Sequence, residues 1–309
     1  MSLLAKPVVV LILNANLSRV YGFRAPAPSL LRYSYEFLTE NKMEEDTHQR
    51  FYNHAWLYEK AFNWRDIEKE CQFLSQLYTT HTSKPLRAML ELACGPAEHA
   101  RWYAAQQIHA HALDLNQDML DYASAQVKTP DYFHPHKMNM CTFDIPSEPV
   151  GMACCLIDSI AYITTHDAFR THLESVARAL EDGGIYVIET VHPKDTLCDV
   201  QTTETSWTVE LSESAIDVIF GHPNNKIDPI SQITMIDVTL RQRRLCDGKI
   251  LVDLTERAPL KLYLYQELLA LIHGSPFCVV ETFGALDTEV ALDSSTHAWR
   301  TVLVLQKRY

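Results

Sequence analysis

The chain has 309 residues, of which 47% are hydrophobic and 21% are charged, a composition typical of a globular protein with one large or two modest domains. Its 39 acidic residues outnumber 27 basic residues and give a net charge of -12 at pH 7, which disfavours nucleic acids and membrane surfaces as partners. Eight cysteines are scattered along the chain without a CxxC pair, which favours reduced thiols and a cytoplasmic location.

Residues 1–42 are predicted to be an N-terminal extension whose role the sequence leaves open. The apolar stretch at residues 7–17 is too short to span a membrane, and residues 25–28 make a poor signal-peptide cleavage site. The composition changes at Met43, where a polar stretch makes a normal domain start. The aromatic and aliphatic residues of 46–78 recur at helical spacing and predict two helices packed on a sheet.

Strand-like and helix-like segments alternate from residue 86 onward. The predicted strands cover residues 86–92, 108–115, 137–140, 152–157 and 185–190. The predicted helices between them cover residues 97–106, 117–126 and 167–180. Such alternation indicates βαβ units, and we predict an α/β fold with a parallel sheet and helices on both of its faces.

Residues 194–258 interrupt this pattern and are predicted to form a small antiparallel β insertion that covers the acceptor side of a site. Strand-like alternation occurs at residues 206–211, 215–220, 232–244 and 249–255. A helix over 264–272 and strands over 278–283 and 301–306 then resume the first pattern. We therefore assign residues 43–193 and 259–309 to one α/β domain.

The first strand of that domain ends in the loop ELACGPA at residues 91–97. A strand, a glycine turn and a helix present backbone N–H groups to a ligand. Asp114 ends the second strand, where a carboxylate accepts both ribose hydroxyls of an adenosine-containing ligand. Because the loop has Gly95 flanked by Ala93 and Ala97 instead of GxGxxG, it favours a ligand without phosphates.

Five motifs in order resemble those of the class I S-adenosylmethionine-dependent methyltransferases, in particular the small-molecule enzymes. They are ELACGPAEH, ALDLNQDML, MNMCTFDIP, ACCLIDSIAYI and LEDGGIYVIETVHP. The tail resembles the helix and closing antiparallel hairpin of that fold, so the resemblance implies a Rossmann-like, seven-stranded, mostly parallel sheet. It also implies S-adenosyl-L-methionine as the cofactor and in-line transfer of its sulfonium methyl group to a small-molecule acceptor.

The resemblance implies a set of cofactor-binding positions in this sequence. Asp114 would accept the ribose hydroxyls, Glu91 would hold the methionine amino end through the loop, and Asn139 would accept the exocyclic amine of adenine. The implied set is Glu91, Ala93, Gly95, Asp114, Leu115, Met119, Asn139, Met140 and Ile157.

The loops after the fourth and fifth strands contain the candidate catalytic residues, because open α/β sheets bind ligands at the carboxyl ends of their strands. They are His192, Asp158 and Tyr162, with His192 suited to act as a base near neutral pH. Two of them have a plainer interpretation as well. Asp158 can cap the next helix, and His192 can simply end a strand.

Other interpretations compete with this one. His134-Pro135-His136 and Cys154-Cys155 have no further ligands at metal-site spacing, so we predict no metal site. The main alternative function is a catalytically silent binding or scaffold protein of the same fold, because a fold does not fix a function. A nicotinamide oxidoreductase and a serine hydrolase are weaker alternatives, since GxGxxG and GxSxG are absent from the sequence. The acceptor and the oligomeric state are left open.

Overall fold

The computed structural model describes residues 54–146, 148–192, 194, 205–222 and 224–308. The predicted extension at 1–42 and the predicted domain start at Met43 lie outside the described residues. In the described part of the chain, no helix is long and apolar enough to cross a bilayer.

The strands, in chain order, are β1 (Ala88–Leu92), β2 (His109–Asp114), β3 (Phe133–Lys137), β4 (Val150–Cys155), β5 (Leu180–Val191), β6 (Thr205–Glu210), β7 (Ser214–Phe220), β8 (Ile233–Arg244), β9 (Ile250–Lys261), β10 (Phe277–Phe283) and β11 (Arg300–Lys307). A seven-stranded sheet has the order β10-β11-β5-β4-β1-β2-β3. The first five strands pair in parallel, and β11 runs antiparallel to both β5 and β10. This arrangement confirms the predicted mostly parallel sheet with its closing hairpin.

The helices are α1 (Ala55–Ala61), α2 (Ile67–His81), α3 (Glu98–Ala105), α4 (Gln117–Gln126), α5 (His166–Ala179) and α6 (Tyr265–His273). Several begin at a side chain that accepts a hydrogen bond from a backbone N–H of the first turn. Asp66 accepts from Lys69 at the start of α2, and Asn116 accepts from Met119 at the start of α4. The observed bounds of α4 are the bounds predicted from the sequence, residues 117–126.

The sheet is buried on both faces. In β1, Leu90 and Leu92 pack in a cluster with residues of α5 and α6, whereas Met89 packs in a second cluster with residues of α2, α3 and α4. Because successive strand residues point to opposite faces, a strand covered on both sides is apolar at nearly every position. Burial on both faces therefore explains the continuous apolar run from which β1 was predicted.

The second sheet is antiparallel, with the order β6-β7-β8-β9, and confirms the predicted β insertion. Its inner face packs against α1 and against the short 3₁₀ helix Ser159–Tyr162. Ile216 and Ile236 of the sheet share a buried cluster with Leu57 of α1 and Ala161. β9 continues to Lys261, beyond the predicted end of the insertion at residue 258.

The third strand was predicted in the wrong place. The predicted position was residues 137–140, but β3 is Phe133–Lys137, with Ala110 of β2 opposite Phe133. Pro135 lacks the N–H that a central strand would need, yet β3 is an edge strand, where proline is tolerated. Beyond β3 the backbone turns, and Thr142 N–H donates to the Asn139 carbonyl at 3.1 Å.

Candidate functional site

A cleft opens at the carboxyl ends of β1 and β4, which is where ligands bind in open α/β sheets. It encloses only about 30 Å³ and opens directly to solvent. The loop after β1 forms its floor, α1 and the segment between α1 and α2 form one wall, and the loop after β4 forms another. The lining residues are Tyr58, Phe62, Arg65, Glu91, Leu92, Ala93, Cys94, Gly95, Pro96, Glu98, His99, Leu156, Ile157 and Ser159.

In the loop after β1, residues with a left-handed backbone conformation alternate with residues of negative φ angle. Ala93, Gly95 and Ala97 have φ angles of 49°, 52° and 54°. A left-handed conformation costs a non-glycine residue roughly 1–2 kcal/mol, because its Cβ approaches the following carbonyl oxygen. The two alanines therefore adopt the conformation that glycine would adopt freely, and the scarcity of glycine does not alter the path of the loop.

Asp114 joins the end of β2 to this loop. Its Oδ2 accepts from the Gly95 N–H at 2.8 Å, and its Oδ1 accepts from the Asn116 N–H at 2.8 Å. Burial raises the pKa of the carboxyl, while these backbone donors and that of Leu115 oppose the rise. A carboxylate has about four lone-pair sites, so with three backbone donors Asp114 can still accept from a ligand hydroxyl.

A chain of charged side chains lies behind the cleft and links α2, β1 and α3. His99 Nδ1 is 2.9 Å from Glu91 Oε1, and His99 Nε2 is 2.9 Å from Glu70 Oε2. The other oxygen of Glu91 accepts from the Ala100 N–H at 2.9 Å, and Glu70 accepts from the Arg65 guanidinium. Both oxygens of Glu91 are thus occupied within the fold.

The protonation of this chain follows from its geometry. Burial alone would lower the pKa of His99, but the charge of Glu91 and the hydrogen bonds with both carboxylates raise it to about 9. Burial would raise the pKa of Glu70, but the hydrogen bond with His99 and the charge of Arg65 lower it. His99 is therefore an imidazolium at neutral pH, held between two carboxylates.

Arg65 is a candidate binding residue that was not predicted from the sequence. Its side chain is 5% exposed, and it is the only Lys or Arg among the described residues that line the cleft. The available signal was local, since Arg65 directly precedes Asp66, the residue that caps α2. Tyr58 lines the same wall, and burial raises the pKa of its hydroxyl, which remains a hydrogen-bond donor.

The residues predicted beside adenine lie beyond the ends of β2 and β3. Leu115 is 62% exposed directly after Asp114, whereas Met119 is fully buried in α4. Asn139 Oδ1 accepts from the Cys141 N–H at 2.8 Å, and the Met140 carbonyl lies 2.7 Å from His172 Nδ1. Their roles toward a ligand stay predictions.

The loop after β4 is fastened to β5. The Ile157 N–H donates to Glu189 at 2.8 Å, and the Thr190 hydroxyl donates to Asp158 Oδ1 at 2.6 Å. Asp158 makes no side-chain capping bond to the helix that follows it, so the plainer interpretation is wrong. Burial raises the pKa of Asp158 to about 6, although the Thr190 hydroxyl and the Arg300 charge oppose the rise. Asp158 is therefore mainly a carboxylate at pH 7.

His192 follows β5 at the same edge of the sheet as Asp158, because β4 and β5 are parallel neighbours. The side chain is buried, and its Nδ1 accepts from the Lys194 N–H at 3.1 Å. A neutral imidazole with Nδ1 as the acceptor carries its proton on Nε2. His192 in this form donates from Nε2. Tyr162 lies where the 3₁₀ helix packs on the small sheet.

Comparisons with known proteins agree with this geometry. Residues 89–184 match the family model described as a methyltransferase domain. A 139-residue segment, 44% of this chain, is 29% identical to dTDP-4-amino-2,3,4,6-tetradeoxy-D-glucose N,N-dimethyltransferase of Saccharopolyspora spinosa and covers 54% of that protein. The chain thus spans about half the length of the curated relatives it matches.

Two solved structures have a similar fold over most of their length. A S-adenosylmethionine-dependent methyltransferase from Clostridium acetobutylicum has a TM-score of 0.68 and 14% identity, covering 82% of this chain and 98% of that one. A sugar N-methyltransferase from Streptoalloteichus has a TM-score of 0.61 and 17% identity, covering 94% of this chain and 100% of that one. The described chain thus has a Rossmann-like methyltransferase fold.

Proposed function

We propose that this chain is a class I S-adenosylmethionine-dependent methyltransferase that transfers a methyl group from S-adenosyl-L-methionine to a small-molecule acceptor. The observation that carries the proposal is the Asp114 carboxylate, anchored at 2.8 Å on the Gly95 N–H of the β1 loop, at the end of the second strand. The described cysteines are free thiols, which supports a cytoplasmic location.

Two parts of the chain would hold the cofactor. The Asp114 carboxylate would accept from the ribose hydroxyls. Arg65 binds the carboxylate of the methionine moiety, because a guanidinium on the cleft wall is a strong partner for a carboxylate. When bound, S-adenosyl-L-methionine supplies an activated methyl group on a sulfonium sulfur. The loops then need only align the acceptor behind that methyl group and exclude water.

The acceptor we propose is an amine on a sugar-type small molecule. Support comes from the dimethyltransferase of Saccharopolyspora spinosa and the sugar N-methyltransferase of Streptoalloteichus, whose names state such acceptors. A protonated amine must lose a proton to present a lone pair, and Asp158, which follows β4 at its carboxyl end, would take that proton. The small antiparallel sheet would cover this side of the cleft.

The proposal is tested by incubating the protein with methyl-labelled S-adenosyl-L-methionine and a set of nucleotide-linked amino sugars. We expect labelled N-methyl product and an equal amount of S-adenosylhomocysteine. The matched control is Asp114→Ala, which should give background label only. If S-adenosylhomocysteine binds but no acceptor is labelled, the catalytically silent alternative is correct.

A further inference from the structure

The turn at residues 139–142, which we call the β3 turn, is held by two side chains of α5. His172 Nδ1 is 2.7 Å from the Met140 carbonyl oxygen, and the Ser175 hydroxyl donates to the Cys141 carbonyl at 3.1 Å. Backbone carbonyls that are turned into the protein outside a helix or strand need a partner of this kind. Both central carbonyls of the β3 turn are therefore bonded to α5.

The surroundings of His172 define its tautomer. The ring is fully buried, and its Nε2 is 2.6 Å from the Tyr186 hydroxyl oxygen. Burial lowers the pKa of His172 to about 4, although the bond to Met140 opposes the fall, so the ring is neutral at pH 7. A carbonyl can only accept, so Nδ1 carries the proton and donates to Met140, and Nε2 accepts from the Tyr186 hydroxyl.

The bond from His172 also sets the direction of the next backbone N–H. In a trans peptide the carbonyl and the following N–H point in opposite directions. Because the Met140 carbonyl points toward α5, the Cys141 N–H points away from it, and it donates to Asn139 Oδ1 at 2.8 Å. The NH₂ group of an amide cannot accept from an N–H, so this bond fixes the Asn139 amide in one orientation.

The β3 turn begins beside the carboxylate that we assign to the ribose. Lys137 ends β3 opposite Asp114, and the Met138 N–H donates to the Asp114 carbonyl at 3.0 Å. Asn139 and Leu115 are both exposed at this edge of the sheet. If Asp114 accepts from a ribose, the base attached to that ribose lies over these next residues, with Leu115 as an apolar surface and Asn139 as a polar partner.

We propose that His172 is a positioning residue for nucleobase recognition, because it holds the β3 turn in the form in which Asn139 selects a 6-amino purine over a 6-oxo purine. This inference rests on the proposed use of S-adenosyl-L-methionine. His172 itself lies in the core and acts only through the Met140 carbonyl and the Cys141 N–H.

The selection follows from the fixed orientation of the Asn139 amide. An asparagine oxygen accepts from the exocyclic amine of adenine while its NH₂ group donates to an adjacent ring nitrogen. Asn139 Oδ1 keeps a second lone pair for that amine after it accepts from the Cys141 N–H. A 6-oxo purine has an acceptor in place of the amine. It would face Oδ1 unless the amide turned over and pointed its NH₂ group at the Cys141 N–H.

The test is a calorimetric titration with S-adenosylhomocysteine and with S-inosylhomocysteine, its 6-oxo analogue. We expect the wild-type protein to prefer S-adenosylhomocysteine by about 5–150-fold, the range of one bidentate base contact. His172→Gln moves the amide toward the position of Nε2 and removes the donor to Met140, so the preference should fall below about 3-fold. His172→Asn keeps an amide nitrogen near the position of Nδ1 and should retain most of the preference.

Two further variants separate this role from packing. Phe169→Leu is the matched control, because Phe169 is fully buried on the same helix and packs against Tyr263. It should lower the melting temperature and keep the preference. Asn139→Ala changes an exposed residue, so the chain should stay folded, as circular dichroism checks, and the preference should be lost. This variant tests the amide even if a His172 variant does not fold.

Several results would overturn the inference. One is an unchanged preference in folded His172→Gln or in Asn139→Ala, and another is an equal loss of preference in Phe169→Leu, which would reduce His172 to a packing residue. Equal affinity of the wild-type protein for the two nucleosides would refute this inference and leave the proposed function standing. Failure of both nucleosides to bind the wild-type protein would refute the proposed function as well.

Discussion

The two sides of the cleft differ in how firmly their charged groups are held. On the cofactor side, Glu70, His99 and Glu91 are joined by contacts of 2.9 Å, with an imidazolium between two carboxylates. On the acceptor side, Arg300 Nε lies 3.2 Å from Glu189 but is not aligned for a hydrogen bond. The cofactor side has a continuous chain of aligned charged contacts, whereas on the acceptor side Asp158 is held by the Thr190 hydroxyl but the Arg300–Glu189 pair is misaligned.

This difference agrees with the different requirements of the proposed cofactor and the proposed methyl acceptor. The cofactor is the same in every turnover. Side chains that are already fixed in position bind it best, because rigid groups lose little conformational entropy on binding. An acceptor must be aligned in the reacting complex, so its partners complete their bonding only when it is present. Variants on the cofactor side should therefore change affinity, and variants on the acceptor side should change turnover.

The largest effect is expected for Asp114→Ala. Loss of the hydrogen bonds from the ribose to a charged acceptor removes about 3 kcal/mol or more, which weakens S-adenosylhomocysteine binding at least about 100-fold. The same change frees the Gly95 N–H. Calorimetric titration measures the affinity, and an unchanged dissociation constant would refute the role of Asp114.

A change of similar size is expected in stability at alkaline pH. The pKa of His99 is raised to about 9 in the folded chain, so its contribution is complete below its unfolded value near 6.5 and is lost as pH rises through about 9. The contribution is about 3 kcal/mol. Imidazole NMR should show a protonated ring at pH 8. A neutral His99 ring at pH 8 would contradict the charged contacts described for the cofactor side of the cleft.

A smaller effect, confined to turnover, is expected for Asp158→Asn. The amide keeps the acceptor oxygen for the Thr190 hydroxyl but takes no proton, so kcat should fall about 100-fold with cofactor affinity unchanged. His192→Gln is the matched comparison and should lose less, since Nδ1 of His192 is occupied by the Lys194 N–H. A larger loss for His192→Gln would reassign the base.

The smallest effect is expected in the β1 loop. Ala93→Gly removes about 1 kcal/mol of strain from the left-handed conformation of the folded chain. Part of this stabilisation is lost because glycine increases the conformational entropy of the unfolded chain. We expect a melting temperature higher by about 1–2 °C. Ala97→Gly should show no such gain, because the Ala97 side chain is fully buried in the core. Equal shifts for both variants would contradict this account of the loop.

The parts of the fold that follow from local pattern were predictable. β1 and β4 are buried on both faces, and their apolar runs mark them directly. β3 was misplaced because proline argues against a strand unless its place at the sheet edge is known. That place is set by the whole topology and cannot be read from residues 133–137 alone.

The site residues likewise fall into those that a local sequence pattern predicts and those that depend on the tertiary structure. Asp114 and Gly95 were predictable because each ends a strand or begins a loop at a fixed point of a βαβ unit. Arg65 was not, because its importance depends on α2 lying against the cleft. The tautomer of His192 was not predictable either, since it depends on a single backbone contact to Lys194.

The most direct measurement is a calorimetric titration of the wild-type protein with S-adenosylhomocysteine, run beside an identical titration with NAD⁺. The account predicts one molecule of S-adenosylhomocysteine bound per chain, and no heat of binding from NAD⁺, because the β1 loop offers only Gly95 to a pyrophosphate. Binding of NAD⁺ without S-adenosylhomocysteine, or of neither ligand, would contradict it.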